Sequence, residues 1–238
     1  MNKEPNIIAI IPARGGSKRL PRKNIRLLNG EPLIYYTIAA AKKSKYLQRL
    51  LVSTADSQIT EIARGYGAEV IDRPESLAQD DTPSRPVYQH VISHLEEIEN
   101  YHPDIIVALQ PTSPCRLAED IDEAIEIFLE TDCDSVVSVC EAEHPPHWMF
   151  TLEEDRLKPV LPGWEKIYQR QLAPKTYRLN GAVYVIHRDV IMEHKKGVMG
   201  SDIRPFIMPL KRSIDIDTDL DLKLAELLIS ERETCYDR

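Results

Sequence analysis

The sequence predicts an α/β fold built on a mostly parallel sheet with helices on both faces. Three observations carry this prediction. Short apolar runs of strand length recur along the chain, amphipathic runs of helical length separate them, and one proline-rich stretch interrupts the alternation late in the sequence. Such alternation is the pattern of parallel strands joined by helical crossovers. A chain of 238 residues is long enough for one such domain with a substantial core.

The elements follow in order. NIIAIIPA (6–13) reads as a short, fully buried strand ending at Pro12, and a Gly- and Lys/Arg-rich loop follows. PLIYYTIAAAKKS (32–44) has apolar positions at helical spacing. LQRLLVST (47–54) is a second strand, SQITEIARGYG (57–67) a helix closed by glycine, and AEVIDRP (68–74) a third strand. The stretch 83–99 is helical, with Val87, Val91, Ile92 and Leu95 on one face. DIIVALQP (104–111) is a fourth strand, AEDIDEAIEIFLE (118–130) an amphipathic helix, and DSVVSVC (134–140) a fifth strand. The segment 143–177 then breaks the rhythm with five prolines, both tryptophans and no long helical period. It reads as an insertion into one domain made of 1–142 and 178–238. RLNGAVYVI (178–186) resumes as a strand, and SIDIDTDLDLKLAELLISERE (213–233) reads as a strand running into a last helix.

Bulk properties narrow the function classes. Hydrophobic residues make up 42% and charged residues 29%, ordinary for a globular domain, and the net charge of −8 argues against general nucleic-acid binding. No apolar run approaches the ~20 residues needed to span a bilayer. The five-residue apolar stretch before Pro12 is too short for a signal-peptide core, so a cytoplasmic location is expected. Cys115, Cys133, Cys140 and Cys235 make no CxxC pair or zinc spacing and read as small apolar residues. His144 and His147 lie in a proline-rich turn without metal spacing, so a structural role is expected for them.

In a parallel sheet, ligands sit at the C-terminal ends of the strands, so the loops there hold the candidates. The first loop is the strongest. From Arg14 to Arg26 there are six cations (Arg14, Lys18, Arg19, Arg22, Lys23, Arg26) and no acid, on an acidic chain. Gly15-Gly16 permits a tight turn, close approach to a ligand and an anion-binding nest of backbone amides. Lysine and arginine there suit a triphosphate, although GxxxxGK[ST] is absent; a solvated basic turn is the plain alternative. The second candidate is Asp215-Ile-Asp217-Thr-Asp219-Leu-Asp221. On an extended segment Ile214 and Ile216 point inward while Asp215 and Asp217 project together, which suits Mg²⁺. An EF-hand is rejected because Leu220 replaces its glycine. Thr218 with Asp221 fits a helix cap, and Asp219 suits the positive helix end. Gln110-Pro-Thr-Ser-Pro114 follows a buried strand and is rigid enough to preorganise a contact. Arg170 and Arg178 flank the strand near Asn180 and suit bidentate recognition of a carboxylate or phosphate, or are surface charge.

These motifs together resemble the acylneuraminate cytidylyltransferase family, the CMP-sialic acid synthetases. IPARGGSKRLPRKN (11–24), STAD, RPESLAQDD, LQPTSPCR, the RQ before RLNGAVYV, and SIDIDTDLDL occur in the family's order, and the resemblance covers nearly the whole chain. It implies a Rossmann-like nucleotidyltransferase sheet and transfer of CMP from CTP to a nine-carbon 2-keto sugar acid, with pyrophosphate released. It also implies that Ala13, Arg14, Gly15, Gly16 and Lys23 bind the nucleotide, with Arg14 and Lys23 on the CTP phosphates, and that Asn24, Arg73 and Ser84 surround the cytidine. Gln110, Arg170 and Arg178 would serve the sugar acid, and Asp215 and Asp217 would bind Mg²⁺; Arg14, Lys23, Asp215 and Asp217 would carry the catalysis. The family is typically a homodimer, and the insertion would form much of the interface. Three departures bear on the sugar: Trp148 stands where N-acetylneuraminate users often carry lysine, QDDTPSRP replaces a DTASS form, and Ala55 stands where a first acid is common. Legionaminate and pseudaminate are then candidate sugars. Two other readings are a Kdo or sugar-1-phosphate nucleotidyltransferase, and a catalytically silent nucleotide-binding subunit; paired metal carboxylates argue against the second.

Overall fold

The first strand, β1 (Ile7–Pro12), is buried because helices cover both of its faces. The computed structural model describes residues 4–193 and 198–236, with side chains through residue 232. β2 (Leu27–Leu28) and β3 (Glu31–Pro32) form a small antiparallel hairpin. Its turn residues Asn29 and Gly30 have φ of 47° and 87°, the positive values that the favoured two-residue hairpin turns require. Helix α1 (Leu33–Lys43) follows, then β4 (Arg49–Thr54), α2 (Ser57–Gly65), β5 (Glu69–Asp72), α3 (Ser84–Ile98), β6 (Ile105–Ala108), α4 (Ala118–Glu130) and β7 (Ser135–Glu141). A two-stranded ribbon of β8 (Phe150–Glu153) and β9 (Arg156–Pro159) interrupts the order. The chain then returns through β10 (Tyr177–His187), α5 (Arg188–Met192), β11 (Ile203–Ile207) and α6 (Asp219–Tyr236).

Seven strands form one sheet in the order β11-β7-β10-β6-β1-β4-β5. All neighbouring pairs are parallel except those of β10, which runs antiparallel between β6 and β7. Side-chain alternation then builds three layers. Ile7, Ala9 and Ile11 of β1 face α1, α2 and α4, whereas Ile8 and Ile10 face α3 and α5. Helix α6 packs separately, laying Leu222, Ala225 and Ile229 on Leu20, Leu28, Leu33 and Ile216. The basic loop is thereby pinned by Leu20 at one end of the sheet.

Two elements differ from expectation. Residues 213–217 are not a strand. Ile216 N–H bonds to the Thr112 carbonyl at 2.8 Å, so the segment is an extended strap across the loop after β6 and takes no place in the sheet. The edge position beside β7 belongs instead to β11, whose internal Pro205 hides it from a strand pattern; an edge strand tolerates the missing N–H donor. The segment between β7 and β10 is otherwise short turns and the ribbon, largely exposed except for a few residues such as buried Pro145. Cys115, Cys133 and Cys140 are free and buried, and the Cys235 side chain lies outside the described residues. Among the described residues no helix is long and apolar enough to cross a membrane.

Candidate active site

A cleft of about 350 Å³ opens where β1, β5 and β6 end, and the strap at 213–217 closes one side of it. Its walls include Arg14, Lys23, Asn24, Arg73, Ser84, Gln110, Asp215 and Asp217. Eight of the thirteen residues singled out in the sequence therefore meet in one place. Ala13, Gly15 and Gly16 are not on its wall. Ala13 is fully buried, with its N–H on the Ser53 carbonyl at 3.0 Å, and acts on the loop from beneath. Neither glycine has positive φ, contrary to the tight-turn reading. Gly15 is needed for space: a Cβ there would stand 2.2 Å from Asp56 Oδ2. Asp56 cannot retreat easily, because it caps α2 by accepting from Gln58 N and Ile59 N, both at 3.0 Å.

The six cations of the first loop are all paired in the folded chain. Arg22 bonds Asp56 at 2.6 Å, and Arg14 and Lys18 converge on Asp80 at 3.1 and 2.9 Å. Arg19 and Lys23 converge on Asp217 at 3.1 and 2.7 Å, and Arg26 meets Asp219 at 2.8 Å. Four aspartates distant in sequence thus neutralise a run that contains no acid of its own. Most of these pairs are half exposed, so each stabilises the fold only weakly and an incoming anion can exchange with it. Asn24 is buried and donates its amide to the Arg14 carbonyl at 2.9 Å, holding the loop's shape.

Arg73 differs from those cations. It is buried, donates from Nε to Ser53 Oγ at 3.1 Å and from Nη2 to the Ser53 carbonyl, and shows no carboxylate partner among the described residues. Burial pulls its pKa down to about 10, so it remains a cation at neutral pH, facing the cleft from a dry wall. The two acids also differ. Lys23 chiefly, with Arg19, holds the Asp217 carboxyl below its ordinary pKa. Asp215 is raised, chiefly by desolvation and further by the neighbouring Asp217 charge, against a hydrogen bond from Thr112. Asp221 is turned away to the helix start: its Oδ2 accepts from Asp217 N, Thr218 N and Thr218 Oγ1 at 3.1, 2.8 and 2.8 Å. Among the described residues no group of three or more His, Cys, Asp or Glu side chains is arranged to hold a metal.

Comparison with known proteins gives these residues a context. Residues 8–227 match the family described as cytidylyltransferase. The chain belongs to that family. This cytidylyltransferase is 38% identical to the CMP-N,N'-diacetyllegionaminic acid synthase of Legionella pneumophila, over 94% of its own length and 96% of the relative's. It is 34% identical to the N-acylneuraminate cytidylyltransferase of Escherichia coli, over 92% of its length but 51% of that longer protein. Its fold matches a solved CMP:2-keto-3-deoxy-manno-octonic acid synthetase complexed with CTP, with a TM-score of 0.71 at 17% identity, covering 95% and 99% of the two chains.

Within the cytidylyltransferase, Gln110 is set by its neighbour Gly181, which sits at φ 72° in a bulge of β10 where register shifts between Leu179 and Tyr184. A Cβ on Gly181 would lie 2.5 Å from Gln110 Oε1. The bulge is locked from behind by buried Asn180, which accepts from Ser138 Oγ at 2.6 Å and donates to Ser213 Oγ at 2.9 Å. Arg116 ties the same pieces, donating to the Ala182 carbonyl at 2.6 Å and to that of Gln110 at 3.3 Å. Arg170 and Arg178 are not brought into the cleft. Arg178 makes a bidentate pair with Glu143, at 3.0 and 2.7 Å, and Arg170 lies 3.9 Å from Glu141 on the wall of a separate hollow between the residues after β7 and those before β10. The cleft wall also includes Leu77, Gln79, Asp80, Thr82 and Tyr88. The loop of Asp80 belongs to the RPESLAQDD motif of the sequence, but nothing there singled out Asp80 itself. Tyr88 reads only as one more large residue on an amphipathic helix.

Proposed function

We propose that this protein transfers CMP from CTP to the anomeric C2 hydroxyl of a sialic-acid-like nine-carbon 2-keto sugar acid and releases pyrophosphate. The observation that carries the reading is the cleft itself: a basic loop, a buried arginine, a rigid glutamine loop and two acids, gathered in a chain similar to CMP-sugar-acid synthases. In this reading the triphosphate lies along Arg14, Lys18 and Lys23, over the end of β1 beside Gly15 and Gly16. Arg73, Asn24 and Ser84 surround the cytidine. Gln110 meets the sugar acid, and Arg170 and Arg178 serve the outer, substrate-carboxylate end. The C2 oxygen bonds to the α-phosphorus as the bond to pyrophosphate breaks, and the hydroxyl proton passes to water. Preorganised cations that meet the developing charge supply most of the rate in such transfers.

Asp215 and Asp217 fit a Mg²⁺ ion. They are hard oxygen donors, Asp215 makes no salt bridge among the described residues, and their mutual repulsion is the condition a divalent cation relieves. When bound, the ion would neutralise phosphate charge. Lys23, now on Asp217 at 2.7 Å, would be free to reach phosphate once that carboxylate served a bound cation. Asp217→Asn is therefore expected to lose at least ~100-fold in turnover at saturating Mg²⁺ while remaining folded. Asp221→Asn, an exposed cap worth ~1 kcal/mol, is expected to lose only a few-fold. Equal losses in a pyrophosphate-release assay would refute this division of labour.

The same reading includes a homodimer in which 143–177 is an inserted dimerisation segment on a body formed by 1–142 and 178–238. Support comes from the apolar side chains that the ribbon leaves exposed, among them Leu152, Leu157 and Val160. It also implies the cytoplasm, where CTP is made.

A further inference from the structure

The loop between β5 and α3, residues 74–83, walls the cleft with Leu77, Gln79, Asp80 and Thr82. Its internal hydrogen bonds are local turns: Leu77 N to the Pro74 carbonyl, Ala78 N to Glu75, Thr82 N to Gln79, and the Gln79 side chain to Glu75. Among the described residues, the polar contacts that tie residues 74–82 to the rest of the chain come from two side chains. Arg14 donates to the Asp80 carbonyl at 2.9 Å and the Gln79 carbonyl at 3.5 Å, and pairs with the Asp80 carboxylate at 3.1 Å. Lys18 meets the other carboxylate oxygen at 2.9 Å. One carboxylate therefore bridges two cations of the basic loop, as two oxygens of a phosphate group would, and the bridge is the loop's fastening.

We infer that Asp80 is a built-in stand-in for substrate phosphate: it occupies Arg14 and Lys18 when the cleft is empty, yields them to the triphosphate, and competes for them again when pyrophosphate leaves. This rests on the proposed seat of the triphosphate on those cations. Two consequences follow. Binding of any polyphosphate is weakened by the need to break the Asp80 bridge, and the same bridge hastens loss of the pyrophosphate product. Because the bridge is half exposed, its effect on affinity is modest, about three- to tenfold.

The test uses inorganic pyrophosphate as the probe and calorimetry as the readout, on the full chain and three variants. Asp80→Asn should bind pyrophosphate about fivefold more tightly than the wild type, and pyrophosphate should become a correspondingly stronger product inhibitor. Asp81→Asn removes the same charge one residue away, in the same exposed turn, and should stay within twofold of the wild type. Arg14→Ala should bind at least tenfold more weakly. Unchanged or weaker binding by Asp80→Asn, with Arg14→Ala weakened as expected, would overturn the inference and leave the triphosphate seat standing. Equal tightening by both aspartate variants would reduce the effect to bulk charge and overturn it as well. Arg14→Ala binding like the wild type would overturn the seat, and the inference with it.

Discussion

Gly181 shows how one residue without a side chain can set another's position. Its left-handed backbone and the 2.5 Å gap to Gln110 Oε1 mean that any larger residue strains the bulge and displaces the glutamine. An alanine at positive φ costs roughly 1–2 kcal/mol before any contact is counted. Gly181→Ala is expected to lower kcat/KM for the sugar acid by about tenfold and to leave the KM for CTP within twofold. Equal effects on both substrates in steady-state kinetics would show that Gln110 does not divide the cleft in this way. The sequence showed Gln110 as a candidate but not its dependence on Gly181, because the two are 71 positions apart (110 and 181) and meet only through the antiparallel insertion of β10.

The ion pair of Arg178 with Glu143 works at the level of an element, tying the first residues after β7 to the start of β10 at the ribbon's root. Arg178 holds Glu143 down to about 2, against its ordinary 4.5. A depressed carboxylate stabilises the fold above its unfolded pKa, and that contribution is lost as pH falls from about 4.5 toward about 2. The pair is partly exposed, so solvent screening limits it to about 1 kcal/mol. Glu143→Gln should melt a few degrees below the wild type at pH 7, with the gap narrowing below about pH 4.5; a gap independent of pH would assign the loss to packing. At this scale the sequence was most legible where burial is two-sided. Ile7–Ile11, four β-branched isoleucines around Ala9, forms a strand buried between helices on both faces. It was least legible at 203–217, where Pro205 masks a real edge strand and alternating Ile214 and Ile216 imitate one. The strap is apolar on one side because α6 and Leu20 cover it, and that requires no sheet partner.

Over the whole molecule, sheet order places the ends of β1, β5 and β6 around one cleft and brings Asp215 and Asp217 back across it from the far end of the chain. The loops of that cleft could be picked from sequence, since parallel strands put their C-terminal ends on one side. The pairing of six loop cations with four distant aspartates could not, because it depends on tertiary placement alone. The ribbon is the remaining large-scale feature. Trp164 stacks edge-on against Phe150 at 5.3 Å between centroids and is still 40% exposed. Trp164→Ala should weaken a dimer at least tenfold, read by light scattering across micromolar concentrations, and should raise the KM for the sugar acid more than that for CTP. A wild type that is monomeric and fully active would remove the interface. Cytidylyl transfer to a nine-carbon acid is tested by pyrophosphate release with each nucleoside triphosphate against a panel of eight- and nine-carbon 2-keto sugar acids. We predict release with CTP and a nine-carbon acid at least ~100-fold faster than with UTP, GTP or ATP; comparable rates with any of those nucleotides, or none without an eight-carbon acid, would contradict it.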